Sequence, residues 1–297
     1  YIQKMPITEN WKSWQRFIKA ETLILNGNVE KFKKYSKRLP DDIRKIYIWS
    51  KFNISQGELK KAKDLLLSIN TEKRMSFHNY QLGKIYKVMG IDDKAFKYFK
   101  MAHNQAKNWI NPLIEMASLA MLDSNFDYAN TLLEKAKKLP NKSLEYKSIA
   151  MQFFTLRNQV ERSEDIFSSI QQDKLNFSNI TDAGVIELKK GNPSEAIKKI
   201  VDATAIERNY ARAYSFLAVA HFHKGETKEA IRQLERSIEF DPLDPMPHII
   251  ASAIYSSELR FNESIAEANL AKKKSKNTKN LSILETDQQG TINVGSR

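Results

Sequence analysis

Small residues recur along this chain at intervals of 33 or 34 residues. The series is Ala95, Ala129, Ser163, Ala196, Ala230 and Ser264, and a glycine stands five residues before several of its members, as Gly225 does before Ala230. A fixed period of this length is typical of repeat architectures and not of a single globular core. Repeat chains of this kind bind their partners along an extended surface.

The clearest repeat covers residues 211–244. Its first half spaces four inward residues at i, i+3, i+4 and i+7, which predicts one face of a helix: Tyr214, Leu217, Ala218 and His221. Gly225 ends this helix, because glycine takes a backbone conformation that is costly for other residues. A second stripe after Ala230 predicts a second helix, which Asp241-Pro242 ends. Since one pair cannot bury both stripes alone, each pair needs a stacked neighbour.

The spacing of Leu82, Gly83 and Tyr86, followed by Ala95 and Phe99, resembles the tetratricopeptide repeat family, which has a 34-residue period. The resemblance implies an all-α fold, a right-handed superhelix (α-solenoid) of about eight antiparallel helix pairs within residues 1–278. The predicted pairs span residues 11–42, 43–75, 76–109, 110–143, 144–176, 177–210, 211–244 and 245–278.

The glycines give a prediction that the structure can test. Five of them fall at predicted helix–helix turns, namely Gly27, Gly57, Gly90, Gly191 and Gly225, whereas the last pair has Leu259 at this position. Gly83 and Gly184 fall where the two helices of a pair approach closely. Residues 279–297 are predicted to be a polar tail or the start of a following domain, and Thr291–Val294 alternates like a strand.

The net charge of +13 is unevenly distributed, since residues 1–100 hold 22 Lys and Arg against 10 Asp and Glu. Two interpretations remain open: the lysines are solvated on outer helix faces, or the first third attracts an acidic partner.

The resemblance implies that the first helix of each pair lines a concave groove. On that basis the predicted partner-binding residues are Arg44, Tyr47, Lys51, Tyr80, Gln81, Lys84 and Lys87. Rings interleaved with cations suit an extended protein or peptide segment of acidic character. The alternative for Tyr47 and Tyr80 is packing against neighbouring helices.

We find no residues suited to catalysis, to a cofactor or to a metal. The chain has no cysteine, and His221 and His223 lie two apart on one helix and therefore point to different sides. The glycines are used by the repeat, so none remain for a phosphate-binding loop. No apolar run reaches the length of a membrane span. The sequence therefore predicts a non-enzymatic binding protein without a cofactor.

Three further hypotheses concern partners. The basic first third could instead bind a polyanion, either RNA or an anionic polysaccharide, although nucleic acid is disfavoured because the cations are mostly Lys and no nucleic-acid motif occurs. Uncapped terminal repeats allow self-association. Residues 241–245 and 283–287 resemble stretches of large bacterial envelope proteins. This resemblance implies the periplasmic part of an envelope export or receptor machine and favours a periplasmic or outer-membrane-associated location over the cytoplasm.

Overall fold

A computed structural model of the chain describes residues 11–140, 143–275, 284–286 and 292–294. Apart from two short strands, the regular structure in these ranges is helical, which confirms the predicted all-α class of stacked helix pairs. The chain divides into two compact units, Tyr1–Pro112 and Leu113–Arg297, and each is considered by itself.

The first unit contains three helix pairs. Their helices are α1 (Trp11–Leu25), α2 (Val29–Ser36), α3 (Ile43–Ser55), α4 (Leu59–Leu67), α5 (Ser76–Val88) and α6 (Asp92–Gln105). Buried aromatic and aliphatic side chains fill the space between the helices, and the Phe32 ring stacks on the Phe52 ring with centroids 4.5 Å apart. Burial of these side chains supplies most of the stability of such a stack.

The second unit contains five further helix pairs. Its helices are α7 (Asn111–Leu122), which begins just before the boundary, α8 (Phe126–Lys137), α9 (Leu144–Leu156), α10 (Val160–Ser168), α11 (Phe177–Lys189), α12 (Pro193–Ile206), α13 (Ala211–His223), α14 (Thr227–Phe240), α15 (Met246–Ser257) and α16 (Phe261–Ser275). The α13 helix is buried over most of its length, because α11, α12, α14 and α15 all pack against it.

Each helix pair in the described residues is joined by three residues, and the middle one has a positive φ. Glycine occupies this position in five turns, as predicted, and Ser124, Asn158 and Leu259 occupy it in the others with φ of 56°, 55° and 63°. The residue after the middle one donates a hydrogen bond to a carbonyl five residues back, as from Glu226 N to His221 O over 2.9 Å. This bond satisfies a carbonyl at the helix end.

Five of the six recurring small residues are buried on the second helices, and Ser264 is half-buried. Ala95, Ala129, Ala196 and Ala230 have no exposed surface. Ser163 is equally buried, and its hydroxyl donates to Met151 O over 2.7 Å and lies 2.8 Å from the Thr155 hydroxyl. Because these bonds satisfy the buried hydroxyl, serine replaces alanine here without an unpaired polar group.

Gly83 and Gly184 lie at close helix contacts, as predicted. A Cβ atom on Gly83 would stand 2.6 Å from two ring carbons of Phe99, and one on Gly184 would clash with the side chain of Ile200. Phe99 and Ile200 are both fully buried. These positions therefore require glycine for steric reasons, although neither has a positive φ.

Two short antiparallel strands follow the helices: β1 (Leu284–Thr286) and β2 (Ile292–Val294), with Leu284 opposite Val294. β2 lies in the stretch whose alternation predicts a strand. The rest of residues 279–297 lies outside the described residues, and so does the beginning of the chain before Trp11.

Candidate functional site

The net charge of the chain lies entirely in the first unit. Residues 1–112 hold 23 Lys and Arg against 10 Asp and Glu, a net charge of +13, whereas residues 113–297 hold 25 of each. The boundary found from the packing therefore coincides with a change in charge. A strongly basic unit attracts anionic partners and raises their local concentration.

Two of the predicted binding cations in the first unit already have carboxylate partners. Arg44 donates from Nε to Asp42 Oδ2 over 2.9 Å, and its guanidinium lies 4.8 Å from the centre of the Phe17 ring. Lys51 forms an ion pair with Glu21 on α1. The Arg44 guanidinium, by bonding and charge, holds the pKa of Asp42 below its usual value despite the opposing effect of burial. Both cations thus contribute to the packing of α3.

The predicted rings lie in aromatic clusters between helices. Tyr47 contacts Phe77 edge to face with centroids 4.8 Å apart, and Tyr80 lies 4.6 Å from the Trp109 ring. Gln81 is buried. The structure therefore places these three side chains mainly in packing contacts, which is the alternative that the sequence left open for the tyrosines.

Lys84 and Lys87 lie on α5, where Lys84 occupies the repeat position equivalent to Lys51 on α3. Lys84 is exposed and Lys87 is half-buried. Of the seven predicted residues, Lys84 is the most exposed. Whether a partner binds them stays a prediction.

Sequence reasoning missed a row of lysines on the second helices of the first unit. Lys31, Lys61 and Lys94 each lie four residues after a turn glycine and are exposed. Lys61 pairs with Glu58 over 2.6 Å, and the Lys94 ammonium lies 5.5 Å from the Tyr86 ring. The equivalent residues in the last three pairs are acidic: Glu195, Glu229 and Glu263. The common spacing after the turn could have revealed this row.

The second unit contains a pocket between four successive first helices, α7, α9, α11 and α13. Its volume is about 80 Å³, enough for more than one water molecule. The lining is largely apolar with a few polar groups, and comprises Ser118, Met121, Leu122, Gln152, Thr155, Leu156, Asp182, Val185, Arg212 and Phe216. A concave apolar pocket with convergent polar groups is the usual form of a binding site.

A buried ion pair connects α11 and α13 in this pocket. Arg212 Nη2 lies 2.9 Å from Asp182 Oδ1, and the Gln152 amide donates to Asp182 Oδ2 over 2.9 Å. The Asp182 side chain is only 4% exposed, whereas that of Arg212 is 30% exposed and lies 5.3 Å from the Phe216 ring. Arg212 therefore presents guanidinium surface to the pocket.

Burial raises the pKa of the Asp182 carboxyl, and the charge of Arg212 with the two hydrogen bonds acts against this rise. Burial also opposes the charge on Arg212, but the Asp182 carboxylate outweighs it and raises the pKa of the guanidinium. Arg212 is thus a permanent cation that can donate to a carboxylate or carbonyl of a bound segment.

Residues that line the pocket occupy the same positions within the repeat as residues of the first unit that were predicted to bind a partner. Counting along the repeat, Arg212 is equivalent to Arg44, and Gln152 is equivalent to Lys51 and Lys84. Asp182 is likewise equivalent to Gln81, and Thr155 to Lys87. The sequence-based prediction therefore chose positions that in the second unit open into a pocket, but it did not name Arg212, Gln152 or Thr155.

The described residues were compared with two further kinds of site, a metal centre and a membrane-spanning helix, and they contain neither. Within the described ranges, no three or more His, Asp or Glu side chains come together as metal ligands. No helix among the described residues has the length and apolar character needed to cross a bilayer.

The second unit also carries a family signature. Residues 187–253, from the end of α11 into α15, match the family model of the tetratricopeptide repeat. This match supports the resemblance of the chain to the tetratricopeptide repeat family. The comparison with curated proteins found no match.

Solved structures share the tetratricopeptide fold. The apo form of the quorum sensor NprR from B. thuringiensis superposes with a TM-score of 0.63 at 16% identity, over 88% of this chain and 87% of that one. A tetratricopeptide repeat protein from Parabacteroides merdae gives a TM-score of 0.59 at 14% identity, over 77% of this chain and 94% of that one. A chain of the APC/C hetero-tetramer Cut9–Hcn1 gives a TM-score of 0.63 at 16% identity over 88% of this chain. The chain described here covers about half (53%) of the length of that one. Identities this low show the fold alone.

Proposed function

We propose that this protein is a non-enzymatic scaffold that binds an acidic segment of a partner protein on the first-helix side of its repeats. Tetratricopeptide repeat proteins are generally non-catalytic scaffolds, and one of the solved structures that share this fold belongs to a hetero-tetramer. The observation that carries the proposal is the pocket of the second unit, because it lies at the predicted repeat positions and presents Arg212 among apolar walls.

The chemistry of this pocket specifies the segment. An apolar side chain of the partner would contact Leu156, Val185 and Phe216, and an adjacent carboxylate would accept hydrogen bonds from Arg212. The positive first unit would attract further acidic residues of the same partner. The segment is therefore expected to be rich in Asp or Glu around one large apolar residue.

Replacing Leu156 with Glu is expected to weaken binding of a Glu-rich fluorescent peptide with one central Phe at least about tenfold. The substitution places a negative charge in the pocket and repels the carboxylates of the peptide. Fluorescence anisotropy measures the affinity, and Leu243→Glu, at a residue 68% exposed elsewhere in the second unit, is the matched control. Equal affinities of the two variants would exclude the pocket as the binding site.

The acidic character of the partner is tested in the first unit. Replacing Lys84 and Lys87 with Glu is expected to weaken binding of polyglutamate at least about tenfold and to reduce its dependence on salt. Lys51 is left unchanged because its loss would also break the ion pair with Glu21. The control Lys61→Glu/Lys94→Glu changes the net charge equally on the second helices. If both variants bind alike, the attraction follows net charge and no first-helix site exists.

The exposed row of Lys31, Lys61 and Lys94 favours a second candidate function, the binding of a polyanion such as RNA or an anionic polysaccharide. Under this alternative, Lys61→Glu/Lys94→Glu abolishes retention of poly(U) RNA or alginate near physiological salt, whereas Lys84→Glu/Lys87→Glu retains it. The role in a bacterial envelope machine rests on residues 241–245 and 283–287 and stays a prediction.

A further inference from the structure

The last helix of the second unit exposes an apolar stripe. Phe261 and Ile265 are 57% and 60% exposed, and Ala268 and Lys272 on the same side of α16 are also exposed. These four residues are spaced by 4, 3 and 4, which places them within about 60° of one another around the helix axis. Leu259, 74% exposed, precedes them in the turn.

The preceding pair shows what normally covers such a stripe. The residues of α14 equivalent to Ile265 and Ala268 are Ile231, which is half-buried, and Leu234, which is 2% exposed. Both α13 and α15 pack against α14, and Ile231 packs against the core cluster that includes Ile250 and Ile254 of α15. The stripe on α16 is therefore the surface where a further helix would pack, and the exposed apolar side chains favour its coverage.

The inner side of α16 is already occupied by its own pair. His248 on α15 bonds from Nδ1 to a Glu267 oxygen over 2.6 Å, and Ser264 donates to Ser252 O over 2.9 Å. Ala271 is buried on the same side. The orientation of α16 is thus fixed by these contacts, and the stripe lies about a quarter turn around the helix axis from them.

We propose that the stripe binds the same stripe of a second copy of this chain, with the two α16 helices antiparallel about a two-fold axis. The 4-3-4 spacing reads identically in both directions, as a two-fold interface requires. Antiparallel pairing then places Ile265 opposite Ala268 of the second copy, so that a large side chain meets a small one. Phe261 meets Lys272 of the second copy, an arrangement suited to a cation–π contact.

Charge supports the antiparallel orientation. α16 has an acidic residue in its first turn and Lys272, Lys273 and Lys274 in its last turn. Antiparallel pairing brings the lysine-rich end of each helix beside the beginning of the other, where Glu258 and Glu263 together with their ion-pair partner Arg260 leave a net negative charge. The opposed helix dipoles add to this attraction. Parallel pairing would instead place the two lysine clusters side by side.

The dilution test uses the full chain. Light scattering over a concentration series is expected to show a monomer–dimer equilibrium, and Ile265→Glu is expected to weaken self-association at least about tenfold, because two charges would be buried at the centre of the contact. Ile206→Glu, at a residue 58% exposed on α12, is the matched control and should leave the equilibrium unchanged. Thermal melting followed by circular dichroism establishes that both variants are folded.

Cross-linking tests the register. Because the chain has no cysteine, Ile265→Cys/Ala268→Cys is expected to form a disulfide-linked dimer on mild oxidation, whereas Leu270→Cys, on another side of α16, is not.

A monomer at every concentration, as expected if a different partner or another part of the chain covers α16, would overturn the proposal. Equal cross-linking of the two variants, or a dimer insensitive to Ile265→Glu, would overturn it as well. A failed dimer leaves the peptide-binding proposal intact, since that proposal rests on the pocket.

Discussion

Replacing Phe99 with alanine is expected to lower the free energy of unfolding of the first unit by about 4 kcal/mol. Phe99 has no exposed surface, and its ring lies between Gly83 on α5 and the Tyr80 ring, 5.6 Å away. Truncation removes the apolar contact and leaves a cavity that rigid helix backbones fill poorly. Urea titration followed by circular dichroism measures the loss. Lys97→Ala, at an exposed position of α6, should cost less than about 0.5 kcal/mol.

The same contact predicts a coupling between two positions. Gly83→Ala alone should destabilise the unit by about 1–3 kcal/mol, because its Cβ would overlap the Phe99 ring. Combining Gly83→Ala with Phe99→Leu moves the obstructing ring atoms away, so the double variant should lose less than the sum of the single losses. Strict additivity would show that Gly83 is required for another reason.

The turns show what the period of the sequence can predict and where it stops. Glycine at Gly57 and Gly225 identifies a turn because only glycine takes a positive φ without strain. Ser124 and Leu259 adopt the same conformation without such a signal, because the packed helices on either side fix the turn geometry, whereas Asn158 is of a residue type that also favours this conformation. The repeat period therefore predicts a helix pair even where the middle residue of its turn is not glycine.

The candidate sites were predicted less completely. Repeat counting identifies the first-helix positions, but it cannot tell that Arg44 and Lys51 pair with Asp42 and Glu21, whereas Arg212 pairs with Asp182 and also lines a pocket. Those outcomes depend on Asp42 and Glu21, which lie outside the repeated positions. Similarly, the sequence located the excess charge in the first third, but the row of Lys31, Lys61 and Lys94 on the second helices was missed, although its spacing after the turn glycines is present in the sequence.

Replacing Arg212 with Met is expected to lower the free energy of unfolding of the second unit by about 3 kcal/mol at neutral pH. The substitution leaves Asp182 as a buried carboxylate with the Gln152 amide as its remaining partner. A charge without a counter-ion in this environment is costly, and methionine cannot donate a hydrogen bond to it. The measurement is urea titration of the variant and the parent at several pH values.

The pH dependence identifies the cause of the loss. Burial raises the pKa of Asp182 above its ordinary value of 3.8 in the folded protein, and removing Arg212 raises it further. The folded state then holds a proton that the unfolded state has released, so the free energy of unfolding falls as pH rises through this interval. The deficit of Arg212→Met should therefore be largest near neutral pH and shrink as pH falls toward 3.8.

A second substitution separates charge from packing. Asp182→Asn added to Arg212→Met replaces the carboxylate with a neutral amide of similar shape, and should recover most of the stability at neutral pH and abolish the extra pH dependence. If the loss came from the missing contact between the Arg212 side chain and the Phe216 ring, the double variant would stay as unstable as Arg212→Met at every pH. That result would reassign Arg212 from partner of a buried carboxylate to packing residue.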